Sequence, residues 1–332
     1  MDFYKNNYFQ SKSFKELNKN IFNYEIIDLP ENNFFIIRNK NNLEKKIILF
    51  SKIDLGTEFR GILEFIGQSV NLNSLNFENK FIKFLDDTQK IIKKIKPGII
   101  IFRSFEVETD EQFLLISKLF KNYGYLCRPW NSLIIDINNL NKDLLISNYN
   151  TRREIKLITK LNIEIEEINN FNQYETFMNF FFKTMRHQNY PNKDKYFKLE
   201  AWNNLSLNHN FFILKIDGIP YSIFSVRIYK DRAYWCMVGR IRNFKYSLHA
   251  YAIDFLFDYL KKKNVSFLDL AGFNPKPRNK KEEGIKYFKQ KFKGNIINQP
   301  SFILDNTFLI KNARSLINFF KKNKSFADEP IF

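Results

Sequence analysis

From Lys276 to Lys293 the chain places eight basic residues, Lys276, Arg278, Lys280, Lys281, Lys286, Lys289, Lys291 and Lys293, against Glu282 and Glu283. Cations at that density neutralise phosphate, diphosphate or carboxylate groups, and along a groove they would track an RNA backbone. The same charges also suit an anionic membrane surface or a solvated face. A second basic group, Arg240, Arg242 and Lys245, stands just ahead of Ser247 and an amphipathic stretch that opens at Leu248. If that stretch is a helix, Ser247 caps it, and its first amides beside three cations form an anion site. The alternative is an ordinary solvated loop. His187, His209 and His249 are the histidines of the chain, and none forms a close pair with a carboxylate of ligand type, so no metal centre is expected. No Ser-His-Asp or Cys-His arrangement is recognisable either, which points away from a covalent enzyme intermediate.

Composition bounds what these groups serve. The net charge of +18 over 332 residues attracts anionic partners such as nucleotides, tRNA, nucleotide sugars or acidic lipid, although lysine-rich coding would also produce it. An apolar share of 44% and an aromatic share of 17% support compact folding, and the length suggests two domains. Cys127 and Cys236 lack a C-x-x-C spacing, so a reducing compartment and no disulfide framework are expected. The amino terminus has no apolar signal-peptide core, so the chain is expected to start near Met1. No apolar run approaches the roughly 20 residues of a membrane-spanning helix.

The elements that must position the basic groups follow from periodicity. Tyr24 to Asp28, Phe34 to Arg38 and Lys46 to Ser51 read as strands, and Phe77 to Ile95 as an amphipathic helix stopped by Pro97-Gly98 before a buried strand, Ile99 to Arg103. A helix over Glu111 to Tyr123 precedes extended pieces at Tyr125 to Arg128 and Ser132 to Ile137. Between Asn138 and Tyr149 the composition turns to Asn, Lys and Asp, and a domain boundary is placed there, giving 1–145, 146–306 and a terminal helix and tail over 307–332. Thr151 to Lys160 is a strongly basic helix, Ile163 to Ile168 a strand and Phe171 to Arg186 a helix. The clearest signal runs from Phe211 to Gly239, three antiparallel strands joined by turns at Asp217-Gly218 and Lys230-Asp231. Leu248, Ala252, Phe255, Leu256, Tyr259 and Leu260 then mark one helix face, Val265 to Leu270 a strand, Glu282 to Phe292 a helix, and Ile296 to Leu304 an extended segment. The amphipathic piece Thr307 to Lys322 is expected to pack back onto the first domain.

Two helices, a three-stranded meander, a crossover helix and a strand are the order of GNAT acyltransferases. The stretches SNYNTRREIKLITKLNIEIEEI, FILKIDGIPYSIFSVRIYKDRAYWCMVGR, HAYAIDFLFDYLKKKNVSFLDLAG and GIKYFKQKFKG resemble, in that order, the Fem-like and CelD-like transferase group, over roughly Leu63 to Asn295 and including FIGQSV. The resemblance implies an α/β fold with mixed sheets, two GNAT-like domains in tandem, and transfer of an acyl or aminoacyl group to an amine or hydroxyl of a cell-envelope or nucleotide-sugar-linked precursor. It implies an enzyme working in the cytoplasm, at or near the inner face of the membrane. Acyl-CoA is the expected donor and aminoacyl-tRNA the alternative, because GRIRNFKYSLHA lacks the glycine-rich loop that wraps a CoA pyrophosphate. A non-catalytic GNAT-like binding module is a further alternative, separated from the enzyme by any turnover.

The resemblance also selects residues. Phe288-Lys289-Gln290-Lys291-Phe292 matches the Fem-like F-K-x-x-F pattern, in which the lysine approaches the transferred group, where a cation would stabilise negative charge on the carbonyl oxygen. Otherwise the two Phe anchor the helix and Lys289 faces water. An attacking amine or hydroxyl must lose a proton, and Tyr234, His249 and Asp269 are the candidate bases. Each has a plainer reading, as a core aromatic, a helix-end polar residue and a carboxylate paired with arginine or backbone. Arg186 and His187, in MRHQNY, are expected to face the acceptor, and Arg240, Arg242, Lys245, Ser247, Lys286 and Lys291 the anionic donor.

Overall fold

The computed structural model describes residues 11–22, 24–29, 34–38, 62–66, 76–95, 97–103, 106–107, 109–184, 193–241 and 244–305. The strand expected over 46–51, the helix expected over 307–322, and Arg186, His187 and Arg242 lie outside them. Two compact units result, one of residues 1–130 with 298–332, the other of 131–297.

In the first unit the described elements are α1 (Lys12–Glu16), β1 (Glu25–Asp28), β2 (Phe34–Arg38), β3 (Ile62–Ile66), α2 (Phe77–Ile95), β4 (Ile99–Arg103), α3 (Asp110–Asn122), β5 (Leu126–Arg128) and β13 (Ser301–Asp305). They build a sheet ordered β1-β2-β3-β4-β13-β5. β3 and β4 are parallel, the geometry a crossover helix imposes, and α2 supplies it. Phe81, Leu85, Thr88 and Ile92 recur on its buried face, as the sequence spacing requires. Thr109 opens α3 with a reciprocal capping box to Gln112. Phe35, Phe65, Phe81, Phe102, Phe120 and Phe302 form the centre of the core, with Phe120 stacked on Phe302 at 3.9 Å between ring centroids. Full burial of one such ring stabilises the fold by about 1.5–3 kcal/mol.

The second unit holds β6 (Asn131–Asp136), α4 (Tyr149–Ile158), β7 (Ile163–Glu167), α5 (Phe171–Thr184), α6 (Leu199–Leu205), β8 (His209–Ile216), β9 (Ile219–Tyr229), β10 (Arg232–Arg240), α7 (Leu248–Lys262), β11 (Phe267–Phe273), α8 (Lys280–Lys289) and β12 (Asn295–Asn298). Its sheet runs β12-β6-β11-β10-β9-β8-β7. The meander β8-β9-β10 is where the sequence puts it, and Asp217 and Gly218 both take positive φ in the first turn, the conformation that a tight two-residue hairpin needs. Phe212, Phe224 and Trp235 stack across the three strands on the face that α7 covers with Leu248, Ala252, Leu256 and Leu260.

The boundary expected after residue 145 is displaced. β6 pairs with β11, from Phe267–Asp136 to Phe273–Asn131, and so belongs to the second sheet. The extended segment expected over 296–304 is two strands in two sheets, because β13 pairs with β4 and β5. The polar stretch at 138–149 is therefore a connection inside the second unit. Composition registers such a loop and carries no record of a partner strand more than 100 positions away.

Gly294 permits the entry into β12. A Cβ there would stand 2.7 Å from the backbone oxygen of Ile134 in β6, and neither backbone can yield cheaply. Gly294→Ala is expected to destabilise the second unit by about 1–3 kcal/mol, read as a lowered denaturant midpoint. An unchanged midpoint would contradict the packing of β12 on β6.

Candidate active site

β10 and β11 pair in parallel through Arg232–Phe267, Ala233–Leu268 and Tyr234–Asp269. Beyond the last pair they part company. β10 continues on β9 to Arg240, with a register shift between Trp235 and Val238, and β11 continues on β6 to Phe273, with a shift between Asp269 and Gly272. A fork of this kind leaves backbone carbonyls and amides of two strands turned away from each other and available to other partners.

Lys289, the last residue of α8, reaches the β11 arm of that fork. It is only 6% exposed, and its Nζ donates to the carbonyls of Ala271 and Gly272 at 2.6 Å each. The ring of Phe273 lies 5.8 Å away. Burial pulls the amine down to about 7, opposed by the negative charge of Asp269. With two of three ammonium protons directed at carbonyls, one remains for another acceptor. The plain reading of Lys289 as a water-facing residue is thus excluded by its burial. Ala271, whose carbonyl it holds, is exposed.

Asp269 is 2% exposed and fully engaged. Its Oδ1 accepts from the Ser132 hydroxyl and from the Ala271 amide at 2.8 Å, and its Oδ2 accepts from Arg232 Nη2 at 2.6 Å. Both carboxylate oxygens are thus occupied by protein donors, the paired arrangement that was the plainer reading of this residue. Tyr234, opposite Asp269, is buried with the Arg232 guanidinium 4.9 Å from its ring centre. His249, near the start of α7, packs edge-on to Trp235 and Phe288, at 6.2 and 6.3 Å. Its Nε2 is buried without a hydrogen-bond partner among the described residues. Burial first, then the field of Arg240, lowers its pKa to about 4, with a hydrogen bond to the Gly239 carbonyl opposing, so it is neutral at physiological pH.

The expected donor residues are dispersed. Arg240 and Lys245 are exposed, the latter over the Tyr246 ring. Ser247 occupies the N-cap of α7 but its side chain makes no capping bond, contrary to expectation, and its amide donates to Glu154 Oε2 of α4 at 3.1 Å. A protein carboxylate stands where an anionic ligand would bind. Lys286 turns to the Pro275 carbonyl at 2.7 Å and Lys291 lies over the Tyr287 ring. No hydrogen bond among the described residues joins these five to the fork. Of the basic run, Arg278 is paired with Glu282, and Lys276, Lys280, Lys281 and Lys293 are exposed. Sequence reasoning missed Arg232, Ser132, Ala271 and Gly272. An arginine inside an apolar strand and an aspartate inside another were the available signal, since two buried charges imply each other.

Two mixed α/β units in tandem, the second of them forked, are the fold that the Fem-like resemblance implied. Among solved structures the chain is similar to FemX, at 12% identity over 94% of each chain with a TM-score of 0.64. It is also similar to the C-terminal domain (DUF2156) of a putative lysylphosphatidylglycerol synthetase from Agrobacterium fabrum, at 10% identity over 90% of this chain and 89% of that one, TM-score 0.56. L-PGS from Bacillus licheniformis is similar at 10% identity over 89% and 88%, TM-score 0.56. No protein-family model and no curated sequence matches the chain. No helix among the described residues is long and apolar enough to cross a membrane.

Proposed function

We propose that the second unit transfers an acyl or aminoacyl group, with the reacting carbonyl in the β10–β11 fork and the Lys289 ammonium facing the oxygen that becomes negative. The observation that carries this reading is a buried lysine held by two fork carbonyls with one N–H to spare. An acceptor amine or hydroxyl attacks the carbonyl carbon, and the tetrahedral oxyanion is stabilised by Lys289. Collapse breaks the bond to the donor's leaving oxygen or sulfur, and the proton lost by the nucleophile passes to that leaving group, directly or through water. The acceptor is an envelope or nucleotide-sugar-linked precursor, as the Fem-like resemblance suggests, met at the inner face of the membrane.

The donor is better read as an aminoacyl-RNA ester than as acyl-CoA. The amide at the α7 terminus is engaged by Glu154, and the glycine-rich loop for a pyrophosphate is missing. The exposed Lys276, Lys280, Lys281 and Lys293 are suited to a phosphodiester backbone. About four phosphate contacts give roughly a hundredfold loss of affinity between about 50 and 200 mM salt. Binding of an aminoacylated acceptor-stem RNA is expected to show that slope, and to lose it when these four lysines become glutamine. Tight acyl-CoA binding that ignores both changes, with no RNA binding, would restore the CoA reading.

A further inference from the structure

The place where β10 and β11 separate is also the place where the backbone of β11 turns over. Ala271 has φ of +64°, in the left-handed region, which is unfavourable for a residue with a Cβ. Something must hold it there. The Asp269 carboxylate accepts from the Ala271 amide two residues on, at 2.8 Å, the Asx arrangement that stabilises such turns. The carboxylate is itself immobile, gripped by the Ser132 hydroxyl from β6 and by Arg232 Nη2 from β10. The consequence of the turn is that two successive carbonyls, Ala271 and Gly272, both point at Lys289 Nζ at 2.6 Å. In a regular strand successive carbonyls point in opposite directions, so this double grip exists only because of the turn.

We propose that Asp269 is a positioning residue, which through the left-handed turn at Ala271 holds the two backbone carbonyls that fix Lys289 in the fork. Asp269 stands on the last paired rung of β10 and β11, and its ion pair with Arg232 on the first rung ties this turn to β10, so one carboxylate links the start of the fork to the placement of the amine. The inference rests on the reading of Lys289 as the group facing the transferred carbonyl, but its test does not need a substrate.

The charged groups around the amine are Asp269 on β11 and, behind it, Arg232 on β10; Phe273 and the two carbonyls complete the contacts. Removing the carboxylate takes away the charge that favours the ammonium and loosens the carbonyls that bind it, and both effects lower its proton affinity. The experiment is a pH titration of lysine Nζ and Cε signals by NMR on the full chain with isotopically labelled lysine, Lys289 being assigned from Lys289→Met. In Asp269→Asn the Lys289 midpoint is expected to fall by about half a unit or more, roughly a threefold or larger loss of proton affinity. Arg232→Met/Asp269→Ala removes both buried charges, leaves neither unpaired, and keeps the test open if the single variant does not fold; there the shift has the same sign and is smaller. Ala271→Gly, which takes the left-handed turn freely, leaves the midpoint unchanged. A Lys289 titration identical to the parent's in folded protein lacking the carboxylate would overturn the proposal. Full transfer by Lys289→Met would instead sink the functional reading and leave the titration result standing.

Discussion

Replacing Lys289 by methionine reduces the rate of transfer by about 10²- to 10³-fold, the usual effect of removing one donor from an oxyanion site. Methionine keeps most of the volume of the buried stem, so packing is largely preserved while the N–H is lost. The pH profile carries the sign of the mechanism. On the proposed reading the protonated form is the active one, and since its folded value is lowered to about 7, transfer is expected to decline as pH rises through that region. A rate that climbs over the same range would make the amine a general base instead. Stability runs in a related way. A lysine depressed from 10.5 to about 7 is neutral in the folded state and charged in the unfolded state between those values, so the unfolded state binds more protons. Parent stability therefore gains as pH rises from about 7 towards 10.5, and the burial penalty is fully present below 7. Thermal melts at several pH values should show the methionine variant at its greatest relative advantage at low pH, with the difference shrinking above 7.

Arg232→Met should be the most damaging single change to folding. Arg232 is 1% exposed and bonded to Asp269, which is 2% exposed, so the substitution strands a buried carboxylate. Breaking such a pair from one side costs about 3–5 kcal/mol. For a unit of this size each kcal/mol corresponds to about 2–4 °C in melting temperature, so a fall of about 10 °C is expected. Adding Asp269→Ala to the same protein should recover part of that loss, because the stranded carboxylate is then gone. If the single variant melts within about 2 °C of the parent, the pair is not the buried anchor described here.

Some of the site was readable in one dimension. The F-K-x-x-F setting singles out Lys289, the meander strand that a GNAT-like site uses singles out Tyr234, and a carboxylate near the end of a central strand singles out Asp269. Their roles were not readable. Whether Asp269 is a base or an anchor depends on Arg232 and Ser132, which lie 37 and 137 residues away along the chain. The alternative that it was simply paired was open from the sequence, and only the partners decide it. For Ser247 the cap chemistry suggested an anion site, and a carboxylate 93 residues away occupies the amide instead.

What the sequence by itself determined is local: the amphipathic period of α2 and α7, the alternation and turn residues of β8, β9 and β10, and the helical stop at Pro97-Gly98. These depend on neighbours within a turn or a hairpin, so propensity and pattern suffice. The tertiary structure decided which sheet β6 and β13 join, where β10 and β11 separate, and that one lysine of the basic run is buried while Lys276, Lys280, Lys281 and Lys293 are exposed. Strand partnership and burial of charge are set by the total packing and desolvation energy of residues far apart in the chain. No stretch of the sequence carries that sum on its own.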